Sequence, residues 1–166
     1  MTKPVIVPAT LRDVSYVLAN LGPLDEEELA CQIEPGLKRH HLAYALLMSG
    51  DNFVARVDDQ PIAVFGTSPI NRATLSLWAL GTKRMPEVAN RIAAYLVRVH
   101  LPEMVAQGYR YAEARSHTNH HVAHRWMTWW GAKQHGGPFE FGTGGEEFLL
   151  FRWSSADLAG VRRVRY

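Results

Sequence analysis

Between Thr74 and Ala132 the hydrophobic period changes three times, and this constrains the fold more than any other part of the chain. Thr74–Gly81 carries Leu75, Leu77 and Leu80 with Trp78, as a strand does. From Pro86 onward Val88, Ile92, Tyr95, Leu96, Val99 and Met104 fall at helical spacing, with the proline in the first turn, where its missing N–H costs nothing. Gly108 stops that helix near Gln107. Tyr109–Ser116 alternates as a strand should, and Asn119–Trp130 returns to helical spacing with Val122, Trp126, Met127 and Trp130 on one side before Gly131. The run is a βαβα unit. Pro102 lies inside its long helix, which predicts a kink or break near His100.

The flanking segments extend the unit. Val5–Val7 reads as a first strand. Thr10 and Asp13 form a capping-box pattern ahead of a helix with Leu11, Val14, Val17, Leu18 and Leu21 on one face. Gly22-Pro23 ends it. Asp25 reads as the cap of a short second helix whose first turn holds Glu26, Glu27 and Glu28, where the helix dipole favours acids. Leu37–Met48 reads as a third helix. Asn52–Val57 and Pro61–Ser68 form a hairpin around Asp58-Asp59-Gln60. Phe139–Phe141 and Phe148–Trp153 read as a terminal hairpin around Gly142–Gly145. The expected organisation is one mixed α/β domain over residues 1–153 and a basic C-terminal tail over 154–166.

Composition narrows the class. The chain has 166 residues, 47% apolar and 20% charged, values suited to one soluble domain with a sizeable core. A net charge of +2 is too small to imply a nucleic-acid partner by itself. The single cysteine, Cys31, excludes an intrachain disulfide and a multi-cysteine metal site. No apolar run is long enough for a membrane span, and the first residues lack the shape of a signal peptide. Five histidines lie between His117 and His135. Pairs four apart suit a metal site in principle, but no third ligand is evident, and a solvated or interface surface is the expectation.

The order β, α, α, hairpin, strand, α, β, α and two final strands resembles the GNAT acetyltransferase fold over nearly the whole chain. The segment Asn119–Ala132 looks like the "asparagine, helix, glycine, apolar" stretch that follows the fifth strand of such proteins. Within it, Arg125-Trp126-Met127-Thr128-Trp129-Trp130-Gly131-Ala132 is similar to a motif of the internal virion or core protein A group of short-tailed phages, which look like degenerate GNAT domains.

The resemblance implies a pyrophosphate site at the start of the long helix, where free N–H groups and the helix dipole hold an anion. The family's glycines are missing from the loop Gly81–Ala89: Pro86 deletes an N–H and Glu87 adds a negative charge, while Lys83 and Arg84 supply point charges. Lys83, Arg84 and Asn119 are therefore the candidate cofactor-binding residues. The family's frequent tyrosine acid is absent from the last helix of the βαβα unit. Glu113 is the best remaining carboxylate and His117 the best imidazole, so these are the candidate catalytic residues, although Glu113 with Arg115 also reads as a paired surface charge. The resulting expectation is a bacteriophage virion or assembly protein of GNAT-like fold, without cofactor or metal. It would be found in the host cytoplasm and then the particle, oligomeric in the assembly and away from membranes. Trp129, Arg162, Arg163 and Arg165 would contact other particle proteins, or DNA through the tail. The alternative is an active acetyl-CoA-dependent N-acetyltransferase with an atypical cofactor loop.

Overall fold

The computed structural model describes residues 3–161. Seven strands form one sheet: β1 (Val5–Pro8), β2 (Asp51–Val57), β3 (Gln60–Pro69), β4 (Thr74–Gly81), β5 (Tyr111–His117), β6 (Lys133–Glu140) and β7 (Glu147–Ser154), in the order β1-β2-β3-β4-β5-β7-β6. Every pairing is antiparallel except β4 with β5. The β2–β3 hairpin turns on Asp58 and Asp59, both at positive φ (51° and 63°), a conformation that short polar side chains tolerate.

One face of the sheet is covered by α1 (Leu11–Ala19), α2 (Pro23–Gln32) and α3 (Arg39–Met48), with Val14, Val17, Leu18, Leu29 and Ala43 packed on Val54 and Val64. The predicted capping box closes α1: Thr10 N donates to Asp13 Oδ2 at 2.9 Å, and Asp13 N to Thr10 Oγ1 at 3.3 Å. The other face carries the broken long helix and α6 (His121–Trp129), with Phe65, Leu77, Ile92, Leu96 and Met127 in its core. Trp130 and Trp153, both fully buried, stack there with ring centroids 4.1 Å apart.

The long helix breaks where Pro102 predicts. A 3₁₀ turn (Met85–Glu87) leads into α4 (Ala89–Tyr95), a π-helical stretch (Leu96–His100) and α5 (Leu101–Ala106). The proline has no N–H to give to the carbonyl one turn back, and the backbone widens just before it. Three expectations shift. α2 begins at Pro23 with Gly22 as its cap, so Asp25 lies inside the first turn and is not the cap. β6 starts at Lys133, six residues before the predicted Phe139, because strand pairing with β7 carries a polar edge segment that has no apolar signature. Residues 154–161 do not trail from the domain: α7 (Ser155–Gly160) opens with its own capping box, buries Leu158, and is held by Lys133–Asp157 at 2.6 Å and by Arg98 donating to Val161 O at 2.7 Å. Arg162, Arg163 and Arg165, the expected tail contacts, lie outside the described residues. Among those described, no helix is long and apolar enough to cross a membrane.

Candidate active site

The parallel pairing of β4 with β5 covers only Thr74–Ser76 against Tyr111–Glu113. Beyond it the strands separate, although β4 continues to Gly81 and β5 to His117. A cavity of about 630 Å³ occupies the opening. Its wall includes Leu77 and Ala79, whose side chains face α4, and Trp78 and Leu80, whose side chains face α1–α3. Successive strand residues point to opposite faces, so a wall made of all four means that the cavity passes through the sheet. Gly81 turns its N–H and C=O to α2 and not to β3: Gly22 N donates to Gly81 O at 2.8 Å and Gly81 N to Asp25 Oδ1 at 3.1 Å. Strand alternation turns the backbone N–H and C=O of Ala79 to the same side, into the gap that β5 has vacated.

Three acids and bases gather at this gap. Glu28, one turn after Asp25 on α2, uses a single oxygen for three donors: Oε2 accepts from Ser116 Oγ at 2.9 Å and His117 N at 3.0 Å, and lies 2.8 Å from His120 Nδ1. Burial lowers the affinity of the His120 imidazole for a proton. The hydrogen bond and charge of Glu28, with Asp25 and Glu27 behind it, outweigh burial and hold its pKa above the ordinary value. Asp25 goes the other way from most carboxylates. Burial, reinforced by the neighbouring Glu28 charge, pushes its pKa from 3.8 to about 6 against the pull of His120 and the Gly81 N–H. Asp25, Glu28 and His120 all line the cavity.

The loop between β4 and α4 differs from what its sequence suggests. Glu87 is engaged by Arg84, whose Nε and NH2 donate at 2.7 and 2.8 Å, and Arg84 NH1 also reaches Gln60 Oε1 at 2.6 Å. The pair neutralises the acid, and neither residue lines the cavity. Lys83 does line it, with Pro86, Ala89 and Asn90. Ala89 and Asn90 open α4, so their N–H groups have no acceptor within the helix. One lysine and a helix start therefore face the cavity, a set that fits the phosphates of a nucleotide-bearing cofactor without glycines.

The sequence-derived candidates divide. Lys83 is at the site. Arg84 is spent on Glu87, and Asn119 is exposed, its N–H donating to His117 Nδ1 at 3.2 Å. Glu113 is buried and held by Arg152, with Nε at 2.8 Å, and by Arg115 at 4.0 Å; it does not line this cavity. His117 is buried edge-on against Phe148, 5.4 Å between centroids, and contributes only backbone to the cluster. Trp129 is 38% exposed on the far side of α6, beside Lys133 and Gln134. Of the histidines expected at a solvated surface, His117 is buried, while His120 and His124 are partly buried; His124 stacks on Phe151 at 5.1 Å. Asp25 and Glu28 were legible only as helix-start acids. The proline before them, which puts Asp25 in the first turn, was the signal available.

No protein-family model matches the chain, and no curated protein matches it in sequence. Its fold does match solved structures. An N-acetyltransferase from Staphylococcus aureus Mu50 superposes with a TM-score of 0.70 at 15% identity, over 92% of this chain and 99% of the other. A ribosomal-protein-alanine N-acetyltransferase from Brucella melitensis gives 0.72 at 16% identity, over 90% and 99%. A GNAT-superfamily phosphinothricin acetyltransferase from Sinorhizobium meliloti, solved with acetyl-CoA, gives 0.72 at 12% identity, over 92% and 89%. These matches correct the expectation of a cofactor-free virion protein: the structures matched are acetyltransferases, one holding acetyl-CoA, and none of the three is a particle protein. One part of the loop chemistry that motivated the expectation also changes in three dimensions, because Arg84 pairs with Glu87. The chain has the GNAT acyl-CoA N-acyltransferase fold, built as a single mixed α/β domain.

Proposed function

We propose that the protein is an acetyl-CoA-dependent N-acetyltransferase with Asp25 as its general base. The observation that carries this reading is a cavity open through the sheet at the β4–β5 split, with a carboxylate of pKa about 6 in its wall. Two reactants entering from opposite faces would meet at the split, held close and in line without a covalent enzyme intermediate.

Acetyl-CoA, when bound, supplies an activated acyl thioester. The residues suited to hold it are Lys83 with the N–H groups of Ala89 and Asn90 at the phosphate end, and the backbone of Ala79 along the gap. Asp25 lies on the α1–α3 side, where an amine would arrive. An amine is protonated in neutral water and must lose a proton to attack a carbonyl carbon. A carboxylate with a pKa near 6 is mostly ionised at pH 7–8 and is basic enough to share that proton in the transition state. Glu28 is a positioning residue: one oxygen ties α2 to the end of β5 and the start of α6, which fixes both sides of the opening.

The test is release of free coenzyme A thiol from acetyl-CoA, followed by a chromogenic disulfide, across a panel of primary amines. Amine-dependent release by the native protein and its loss in Asp25→Asn are expected. Absence of amine-dependent release over the whole panel at millimolar acetyl-CoA would overturn the reading.

A further inference from the structure

We infer that the amine accepted by this cavity is a small monoamine on an apolar body, an alkyl or aralkyl amine. This deepens the acetyltransferase reading and rests on it. On the α1–α3 side of the sheet the apolar part of the cavity wall is Leu24, Leu29, Leu46, Trp78 and Leu80, with Phe141 contributed by the β6–β7 turn and Gln32 beside them. That turn is fastened across the opening: Thr143 N donates to Cys31 O, at the end of α2, at 2.8 Å. Leu24 and Phe141 stay 36% and 43% exposed, so large apolar side chains are left uncovered where a ligand would enter.

The charges in the wall set the other end of the ligand. Two carboxylates line the cavity, but Glu28 is already committed to three donors by one oxygen. Asp25 accepts backbone N–H groups alone among the described residues, that of Gly81 at 3.1 Å and its own. Asp25 is thus the carboxylate most open to an ammonium, and a second cationic centre on the ligand would find mostly apolar wall, with Gln32 and the already engaged Glu28 as its polar members. Of the cations in the wall, Lys83 is in the β4–α4 loop, and Arg115, on the same side as Phe141, is engaged by that ring, 5.3 Å from its centroid, and by Glu113 at 4.0 Å. A carboxylate ligand would meet Asp25 and be repelled. An apolar body with a single terminal amine satisfies both halves of the wall; a polyamine or a short hydroxyl-bearing amine satisfies only the acid.

The test is calorimetric titration of the protein at pH 7.5 with four probes: 2-phenylethylamine, ethanolamine, spermidine and 3-phenylpropionate. The expected result is saturable binding of 2-phenylethylamine, roughly tenfold or more tighter than ethanolamine or spermidine, and none of the carboxylate. Leu24→Gln and Leu46→Gln are each expected to weaken 2-phenylethylamine roughly tenfold while acetyl-CoA affinity stays the same. Leu24 is at the surface end of α2, so its variant retains the fold even if the Leu46 variant loses stability. Equal or tighter binding of ethanolamine or spermidine, no binding of any amine, or indifference to Leu24→Gln would each overturn the inference. Acetyl-CoA is titrated separately. Its failure to bind would count against the acetyltransferase reading alone, whereas acetyl-CoA turnover with spermidine as sole acceptor would overturn only the present inference.

Discussion

The Asp25 carboxylate accepts the backbone N–H of Gly81 at 3.1 Å, joining the first turn of α2 to the last residue of β4 across 56 positions of the chain. That bond fixes where the acid stands, and burial sets its affinity for a proton. Asp25→Asn keeps the shape and removes the base. We expect kcat to fall by roughly 10²–10⁴-fold with acetyl-CoA affinity unchanged. With the native protein, the proposed role of Asp25 predicts that kcat/KM rises with pH through about 6 and then levels, since a base works only when ionised. Glu28, His120 and the Gly81 N–H surround this carboxylate, so the acid limb belongs to the group of them; its disappearance in Asp25→Asn assigns it.

The same residue should cost stability. Its folded pKa of about 6 is above the unfolded value of 3.8, so the protonated form is favoured by folding. The contribution is fully present below the unfolded value and is lost as pH rises through about 6. Ionised Asp25 therefore strains the fold at pH 8, by roughly 2 kcal/mol once its partial exposure to solvent is discounted. Denaturant unfolding should find Asp25→Asn more stable than the native chain at pH 8 and about equal to it near pH 3.5. An activity loss paired with a stability gain is the mark of a functional group, not a structural one.

Glu28→Gln removes a charge from three donors at once. A loss of about 1–3 kcal/mol is expected. The His120 pKa, read by NMR titration, should drop, because the hydrogen bond and charge that hold it up are weakened. The raised pKa stabilises the fold below the ordinary histidine value of 6.5, and the gain is lost as pH rises through the folded one. The stability gap between the native chain and Glu28→Gln should accordingly be wider at pH 6 than at pH 8. A gap independent of pH would sink the ion-pair account of Glu28 and His120.

Glu113 supplies the contrasting case. It is buried, held by Arg152, and outside the cavity. Glu113→Gln should lower stability by about 1–2 kcal/mol by leaving partly exposed arginines without their partner, while kcat/KM stays within about threefold. A hundredfold loss of activity without a loss of stability would return Glu113 to the position of catalytic base.

The fold was largely legible in the sequence because its signals are local. Thr10 and Asp13 cap α1 within four residues, Asp58-Asp59 turn a hairpin, and Pro102 marks the π-helical break just before it. Most of β6 was illegible because Lys133–His135 gains its strand character only from pairing with β7 beside it. The site was mostly illegible, because it is assembled from distant pieces: Glu28 meets Ser116 and His120 across 88 and 92 positions. Lys83 stands in a loop next to a helix start, a local feature that the sequence displays, and it lines the cavity. Glu87 was read as a repelling charge because sequence does not reveal that Arg84, three residues earlier, turns onto it.

The central claim is that the opening between β4 and β5 takes acetyl-CoA. Isothermal titration of the native protein with acetyl-CoA tests it most directly. The account predicts saturable one-to-one binding, with a dissociation constant on the order of micromolar to tens of micromolar, weakened several-fold by Lys83→Ala. No heat of binding and no rise in melting temperature at millimolar acetyl-CoA would contradict it.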